Sequence, residues 1–405
     1  MAYVPPHKRH SGTANKPTPL PPSLSRHFDQ SLTLSGSSSH RRTGRTDSNH
    51  GRGQIVYASR SISRWWTIGG RLNHAGLRLE PFPCEIVERK TGSKPLVLAV
   101  GGDPLPVPSG EDPPPWVEIA ERIEPDLLVT ATSARGDLAS ENEEIKLSFV
   151  ARVGQVFFHG ESSSCLDSLK KAAIAEADIR GQVHKSFYTN LPNEHVEELQ
   201  RRDLLKLGFD FDSEKEHYHV KVIDKSRPGS TISCKCTVVE GGGLEIRKIE
   251  LNQLRHLVVD ISCLPKDLDV RLMLYTKRIL KTLNDEEKKG INRLISDAVI
   301  DQDVKGGLRW PLGKEAIDEK FNIVGVWHTK HKVFRSQNIR LKFRFADRFD
   351  HRTSVGEVSN EVSLKLTGIS EQLIEESMET SSLSMMVQDA VKLIWDNFLS
   401  YNHSS

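Results

Sequence analysis

Apolar residues are sparse over the first 54 positions and arrive abruptly in QIVYASRSISRWWTIGG, where Val56, Trp65, Trp66 and Ile68 are the first candidates for burial. Downstream, CEIVERK and KPLVLAV show the alternation or short apolar runs of strands. GGDPLPVPSGEDPPP reads as a loop, WVEIAERI as a helix with Pro at its head, and the polar span 130–144 as a further loop. KLSFVARVG and QVFFHG read as two strands of a hairpin joined at Gly154. SCLDSLKKAAIAEADIR reads as a helix, and so does NEHVEELQRRDLLKLG, with Asn193 as its cap and Gly208 as its stop.

EHYHVKVID, STISCKCTVVE and GLEIRKIEL then predict an antiparallel meander, turning at Pro228-Gly229 and at Gly241-Gly242-Gly243. DLDVRLMLYTKRIL adds another alternating strand. In NDEEKKGINRLISDAV, Asn284 and Glu287 have capping-box spacing, and Ile291, Leu294, Ile295, Ala298 and Val299 share one helical face. FNIVGVWH, NIRLKFRF and VSNEVSLKL follow as strands. A closing helix carries Leu383, Met386, Val387, Ala390, Val391, Ile394, Trp395 and Phe398 on one stripe, which predicts docking on the sheet. Strands and helices come in runs, so the expected class is α+β, with mixed or antiparallel sheets and packed helices. The expected body spans 55–402, as one unit or as two lobes at about 55–175 and 180–402.

Composition separates the first 54 residues from this body. They hold eight Lys or Arg against two Asp, no Ile, no Trp and one Phe. Such a segment buries too little apolar area to offset its ordering entropy, so a disordered basic arm is expected. The whole chain of 405 residues has a formal charge of only +2, which leaves the body mildly acidic. A basic arm on an acidic body fits RNA or an acidic protein partner. No run of about 18 apolar residues exists to cross a membrane as a helix, and the start lacks an apolar signal region. Five cysteines without such a signal point to a reducing compartment, cytosol or nucleus.

Candidate chemistry is thin. His217, His219, Cys234 and Cys236 could in principle make a tetrahedral zinc site. The pleat opposes this, because the two His take the polar face of their strand and the two Cys the apolar face of theirs. GGLRWPLGKE fails as a phosphate loop, since Leu308 stands at the first glycine position and Glu315 follows Lys314. Arg309 and Lys314 remain candidates for an anion contact, and an enzyme would place its pocket near Gly306–Lys314 and His328. The close acidic pairs Asp210/Asp212, Asp301/Asp303 and Asp347/Asp350 have no matching base beside them. No cofactor and no metal site is expected.

The strongest local signal is basic. Lys330, Lys332, Arg335, Arg340, Lys342, Arg344, Arg348 and Arg352 crowd one segment against Asp347 and Asp350. In NIRLKFRF the apolar residues alternate strictly with Arg340, Lys342 and Arg344, so one sheet face presents cations about 7 Å apart, twice the strand rise. Lys330, Lys332, Arg335, Arg340, Lys342, Arg344 and Arg348 are therefore candidate contacts to a nucleic-acid backbone. The competing expectation is a solvated outer face whose cations pair with carboxylates on the next strand.

MAYVPPHKRH, VHKSFYTNLP, VKGGLRWPLGK, VGVWHTKHK and ADRFDHRTSVGEVSNEVSLKL together resemble a land-plant family carried as a domain of unknown function. That resemblance covers nearly the whole chain and brings no catalytic residue with it. The opening Tyr3-Val4-Pro5-Pro6-His7-Lys8-Arg9 also resembles a segment near the start of some DEAD-box RNA helicases, with Lys8 where that motif has Leu. Tyr3, Pro5, Pro6, His7, Lys8 and Arg9 are thus candidates for docking a partner. The expected function is a non-enzymatic binding protein, RNA-associated through the arm and the basic face; an enzyme or a docking scaffold are the alternatives.

Overall fold

The computed structural model describes residues 56–401 apart from 70–76, 101–112, 139–143, 161–183, 203, 226, 252, 281–282, 312–319 and 376–379. The expected basic arm at 1–54, the helix at 164–180 and the docking residues Tyr3 to Arg9 lie outside the described residues.

The fold is α+β and dominated by one sheet. Its strands are β1 (Val56–Ile68), β2 (Leu77–Pro81), β3 (Leu96–Val100), β4 (Glu144–His159), β5 (His184–Tyr188), β6 (Asp210–Asp224) and β7 (Arg227–Val238). They continue with β8 (Leu244–Leu251), β9 (Leu254–Cys263), β10 (Asp269–Ile279), β13 (Phe321–Arg335), β14 (Ile339–Asp350) and β15 (Val355–Leu366). A two-residue pair, β11 (Val299–Ile300) with β12 (Leu308–Arg309), stands apart. The helices are α1 (Glu85–Thr91), α2 (Pro115–Leu138), α3 (Asn193–Arg201), α4 (Asp285–Ser296), α5 (Thr367–Gln372) and α6 (Thr380–Asn397).

The register shows a closed ring. β8, β7, β6, β13, β14, β15 and β4 follow one another edge to edge, all antiparallel, and β4 pairs with β10. The other edge of β10 meets β9 along Val270–Thr276 and then β8 at Ile279, which completes an eight-stranded barrel. β9 leaves the wall and carries β1 on its far edge as the parallel member.

Apolar alternate residues face outward from this wall. On one side Leu257, Val259, Leu272, Leu274, Phe149, Leu341 and Phe343 pack under α2 and α6. On the other side Val220, Val222, Ile232, Cys234, Cys236 and Ile323 pack with Ile291, Leu294 and Ile295 of α4. Most of the core therefore lies outside the barrel, and the polar alternates point into the lumen together with a small apolar cluster of Val150, Met273 and Tyr275 packed on Val258. The stripe on α6 docks as its spacing predicts, with Leu383, Val387, Ala390, Val391, Ile394, Trp395 and Phe398 all buried. α4 starts on the predicted capping box: Glu287 N–H donates to Asn284 Oδ1 at 2.7 Å, and the Asn284 N–H donates back to Glu287.

Several expectations fail for identifiable reasons. CEIVERK is the helix α1, closed by Gly92 at φ 78° with its N–H on Glu88 O. Seven residues are too few for periodicity to separate strand from helix. The span 130–144 opens as helix, because α2 continues to Leu138 past an internal Pro125. Gly154 is not a turn: β4 runs straight through it. Its glycine is needed because a Cβ there would lie 2.1 Å from the Tyr188 carbonyl oxygen, so close approach of β5 sets the residue. The helix from 193 ends at Arg201, and Pro192 rather than Asn193 occupies its N-cap. β2, β5 and β9 carry no reading in the sequence, the last because VVDISC is buried on both faces and does not alternate.

Candidate functional site

The lumen contains a cavity of about 260 Å³, and all eight barrel strands contribute to its lining. Arg152 comes from β4, Lys221 from β6, Ser233 from β7, Glu250 from β8, Arg271 from β10, Trp327 from β13, Arg344 and Arg348 from β14, and Glu357 and Glu361 from β15. Lys90 of α1 and Arg255 of β9 complete the charged set, with Asp350 and Arg352 at the end of β14. Eight Lys or Arg side chains thus face four carboxylates, a formal excess of four positive charges.

The carboxylates are all engaged. Glu361 is buried and bridges two arginines: Arg344 Nε donates to its Oε2 at 3.0 Å, and an Arg348 Nη donates to its Oε1. Burial pushes this carboxyl up, but Arg344, Arg348 and Arg152 outweigh that and hold it well below the usual carboxylate range. Glu357 accepts from Lys90 Nζ at 2.7 Å, which ties α1 to the rim. Glu250 sits between Lys248 at 2.6 Å and Lys277 at 3.4 Å. Asp350 holds Arg352 at 3.3 Å. Fully buried Asp260, on the same sheet face as its register partner Arg271, accepts from Arg271 Nε at 2.5 Å and also binds Lys185, which fastens β5 to the barrel.

The remaining cations have weaker partners. The Lys221 ammonium lies 3.9 Å from the centroid of the Trp327 ring, and the Arg348 guanidinium 5.3 Å from the same ring. A π face steadies the Lys221 ammonium without consuming its N–H donors, which stay available to an anion, whereas Arg348 already donates to Glu361 and to the Ser359 hydroxyl. Burial, with Arg348 and Arg352 nearby, pulls the Lys221 ammonium down to about 8. Burial likewise lowers Arg152 to about 10, and its Nε has no hydrogen-bond partner. Two like charges about 7 Å apart repel by roughly 2 kcal/mol at an effective dielectric near 20. A site of this kind stores repulsion that a bound anion would relieve.

The basic run singled out in the sequence divides between two surfaces. Arg340, Lys342, Arg344 and Arg348 share the inward face of β14, opposite Lys365, Ser363, Glu361 and Glu357 of β15. The solvated outer face expected for them is instead the lumen, because the sheet curls shut. Lys330 and Lys332 have the opposite parity in β13 and face outward, Lys330 lying 3.5 Å from Glu216. Arg335 ends the strand and meets Asp212 at 3.4 Å. The pairing of Arg344 and Arg348 with Glu361 is a next-strand pairing of the kind the spacing allows.

Other candidates are placed as follows. His217 and His219 point inward while Cys234 and Cys236 lie in the outer core, and cross-strand pairing sets His219 against Lys235. Burial raises both thiols, Cys236 to about 12. Among the described residues no group of three His, Cys, Asp or Glu is arranged to hold a metal. Arg309 is paired with Asp301 at 2.7 Å, and Lys314 lies outside the described residues. The Gly306 N–H donates to Asp347 and the Trp310 indole donates to the Leu294 carbonyl, which anchors that loop to the barrel and to α4. His328 stacks on Tyr218 and meets Glu216 at 2.6 Å on the outer surface. Asp301 and Asp350 accept backbone N–H groups of their own turns. Among the described residues no helix is long and apolar enough to cross a membrane.

Reading the sequence missed Arg152, Lys221, Arg271, Trp327 and Glu361. Their signal was present as parity: in HYHVKVI, Lys221 takes the same polar alternate as the two histidines.

Among solved structures, the chain is similar to the S. pombe Pct1 RNA triphosphatase at 10% identity and TM-score 0.42, covering 68% of this chain and 93% of that one. The PH1012 protein of Pyrococcus horikoshii OT3 matches at 10% identity and TM-score 0.24, over 51% of this chain and 87% of that one. A putative adenylate cyclase from Bacillus halodurans matches at 12% and 0.22, over 53% and 91%. No curated protein matches the chain. Residues 49–398 match the family described as Domain of unknown function (DUF7903), and the chain belongs to that family.

Proposed function

We propose that the barrel binds a phosphorylated polyanion within its lumen and acts as a binding protein. The observation behind this reading is the excess of four positive charges lining the cavity. Each lining carboxylate is already in an ion pair, and four cations remain in formal excess for an anionic ligand. The RNA association expected from the sequence takes a narrower form. An eight-stranded barrel leaves room for side chains or one small ligand, so a duplex does not enter. Phosphate groups reach these cations only on a small ligand or at the end of a single chain.

Calorimetric titration of the full-length protein with inorganic tripolyphosphate tests this reading. Affinity should fall steeply as salt rises. Lys221→Ala removes one charge-assisted donor, worth about 1.5–3 kcal/mol, and should weaken binding about tenfold or more. Lys332→Ala on the outer face should change nothing. Absence of binding at low ionic strength, or equal losses in both variants, would rule the lumen out.

A further inference from the structure

Beyond the cavity, toward the start of β14, the inward face of the barrel gathers a second set of cations. Arg340 is paired in register with Lys365, and Lys342 with Ser363. His331 sits beside Arg344, and its ring centroid is 5.5 Å from that of His217. Lys235 projects inward opposite His219. The local carboxylates are taken: Glu250 by Lys248 and Lys277, Asp212 by Arg335 and Arg340. Among the described residues, Lys235, Lys342 and Lys365 show no ion pair. Neither ring nitrogen of His217 has a hydrogen-bond partner, although the residue is only 9% exposed, and Arg340 Nε is likewise unpartnered.

We propose that Lys342, His331, His217 and Lys235 form a second oxyanion subsite, separated from the cavity by the Glu361 bridge. A ligand filling both is an elongated chain of condensed phosphates. This rests on the phosphate-binding reading of the lumen and specifies its ligand. From Lys342 to Arg348 the strand spans about 20 Å, so one compact anion cannot satisfy both ends. Burial, together with the surrounding cations, brings Lys342 down to about 7 and His331 and His217 to about 3 and 4. The imidazoles are therefore neutral at physiological pH, and each offers one N–H to a phosphate oxygen without adding charge. A nucleic-acid chain fits less well. Each of its phosphates brings a base into an interior that an eight-stranded wall leaves little wider than its own side chains.

Titration of the full-length protein with tripolyphosphate, with a linear polyphosphate long enough to reach about 20 Å, and with a 5′-phosphorylated single-stranded RNA tests this. The long polyphosphate should bind at least about tenfold tighter than tripolyphosphate, because its second contact is intramolecular. Lys342→Met combined with His331→Gln should abolish that gain and leave tripolyphosphate affinity intact. Removing the repelled Lys342 should not lower the unfolding temperature, which separates lost binding from lost folding. Equal affinity for short and long chains, or RNA binding tighter than polyphosphate, overturns the second subsite. Failure of every ligand, tripolyphosphate included, instead overturns the reading on which it rests.

Discussion

Glu361→Gln should destabilise the barrel and strengthen its grip on anions, two effects of opposite sign from one neutralised charge. The carboxylate is buried and accepts from Arg344, Arg348 and the Ser359 hydroxyl. A unit-charge contact near 4 Å is worth about 4 kcal/mol at an effective dielectric of 20, and Glu361 makes two such contacts. Desolvation cancels part of this, and breaking one buried pair typically costs about 3–5 kcal/mol because the partner charge stays buried. At the lower end of the usual scaling, about 2 °C per kcal/mol, the unfolding temperature should fall by about 6–10 °C. The lumen meanwhile gains one net positive charge, worth roughly 2 kcal/mol to a unit anion about 7 Å away, which is more than tenfold in affinity. Thermal unfolding followed by circular dichroism, with and without tripolyphosphate, reads both effects. The anion should recover much of the lost stability by mass action. A drop under about 1 kcal/mol, or unchanged anion affinity, would show that Glu361 does not neutralise the lumen.

Asp269 gives a pH-dependent test. Burial pushes its carboxyl up to about 7, against the opposing pull of N–H donors from Val156 and Cys263. A raised folded-state pKa stabilises fully below the unfolded value near 4, and that contribution is lost as pH rises through about 7. Asp269→Asn should therefore compare better with the parent in urea unfolding at pH 8 than at pH 5; a constant difference would refute the assignment. Gly154→Ala should cost about 3 kcal/mol or more, because the new Cβ meets the Tyr188 carbonyl oxygen at 2.1 Å and Phe187 Cε1 at 2.9 Å. Chemical denaturation would show the loss, and a neutral result would mean that β5 can move. Leu383→Ala on the docked face of α6 should cost about 2–5 kcal/mol by the same assay.

The elements whose pattern is long and whose partner is a single apolar face were legible from the chain alone. α6 has a stripe of apolar residues at helical spacing and docks as read; α4 starts on its capping box but ends at Ser296, so Val299, read onto the same helical face, falls in β11 instead. The alternation of NIRLKFRF correctly separates Leu341 and Phe343 from Arg340, Lys342 and Arg344, because period-2 pleating is a local property of the backbone. The opposite facing of the histidines and the cysteines in β6 and β7 follows for the same reason.

What alternation cannot encode is which face is inside. A strand with one apolar and one charged face is the same object in an open sheet, with the charges in water, and in this barrel, with the charges enclosed. The choice is made by pairings far apart in sequence: β4 with β10 and β15, and β10 with β8 through Ile279 and Glu250. Those contacts bring Arg152, Lys221, Arg271 and Arg348 to one cavity from strands spread over nearly 200 residues. Close approach was equally invisible, since a glycine in a strand looks like a turn until β5 is seen lying against Gly154. The sequence determined the two faces of each strand because local geometry suffices for that. Only the tertiary closure of the sheet turned the charged faces toward one another and made them a site.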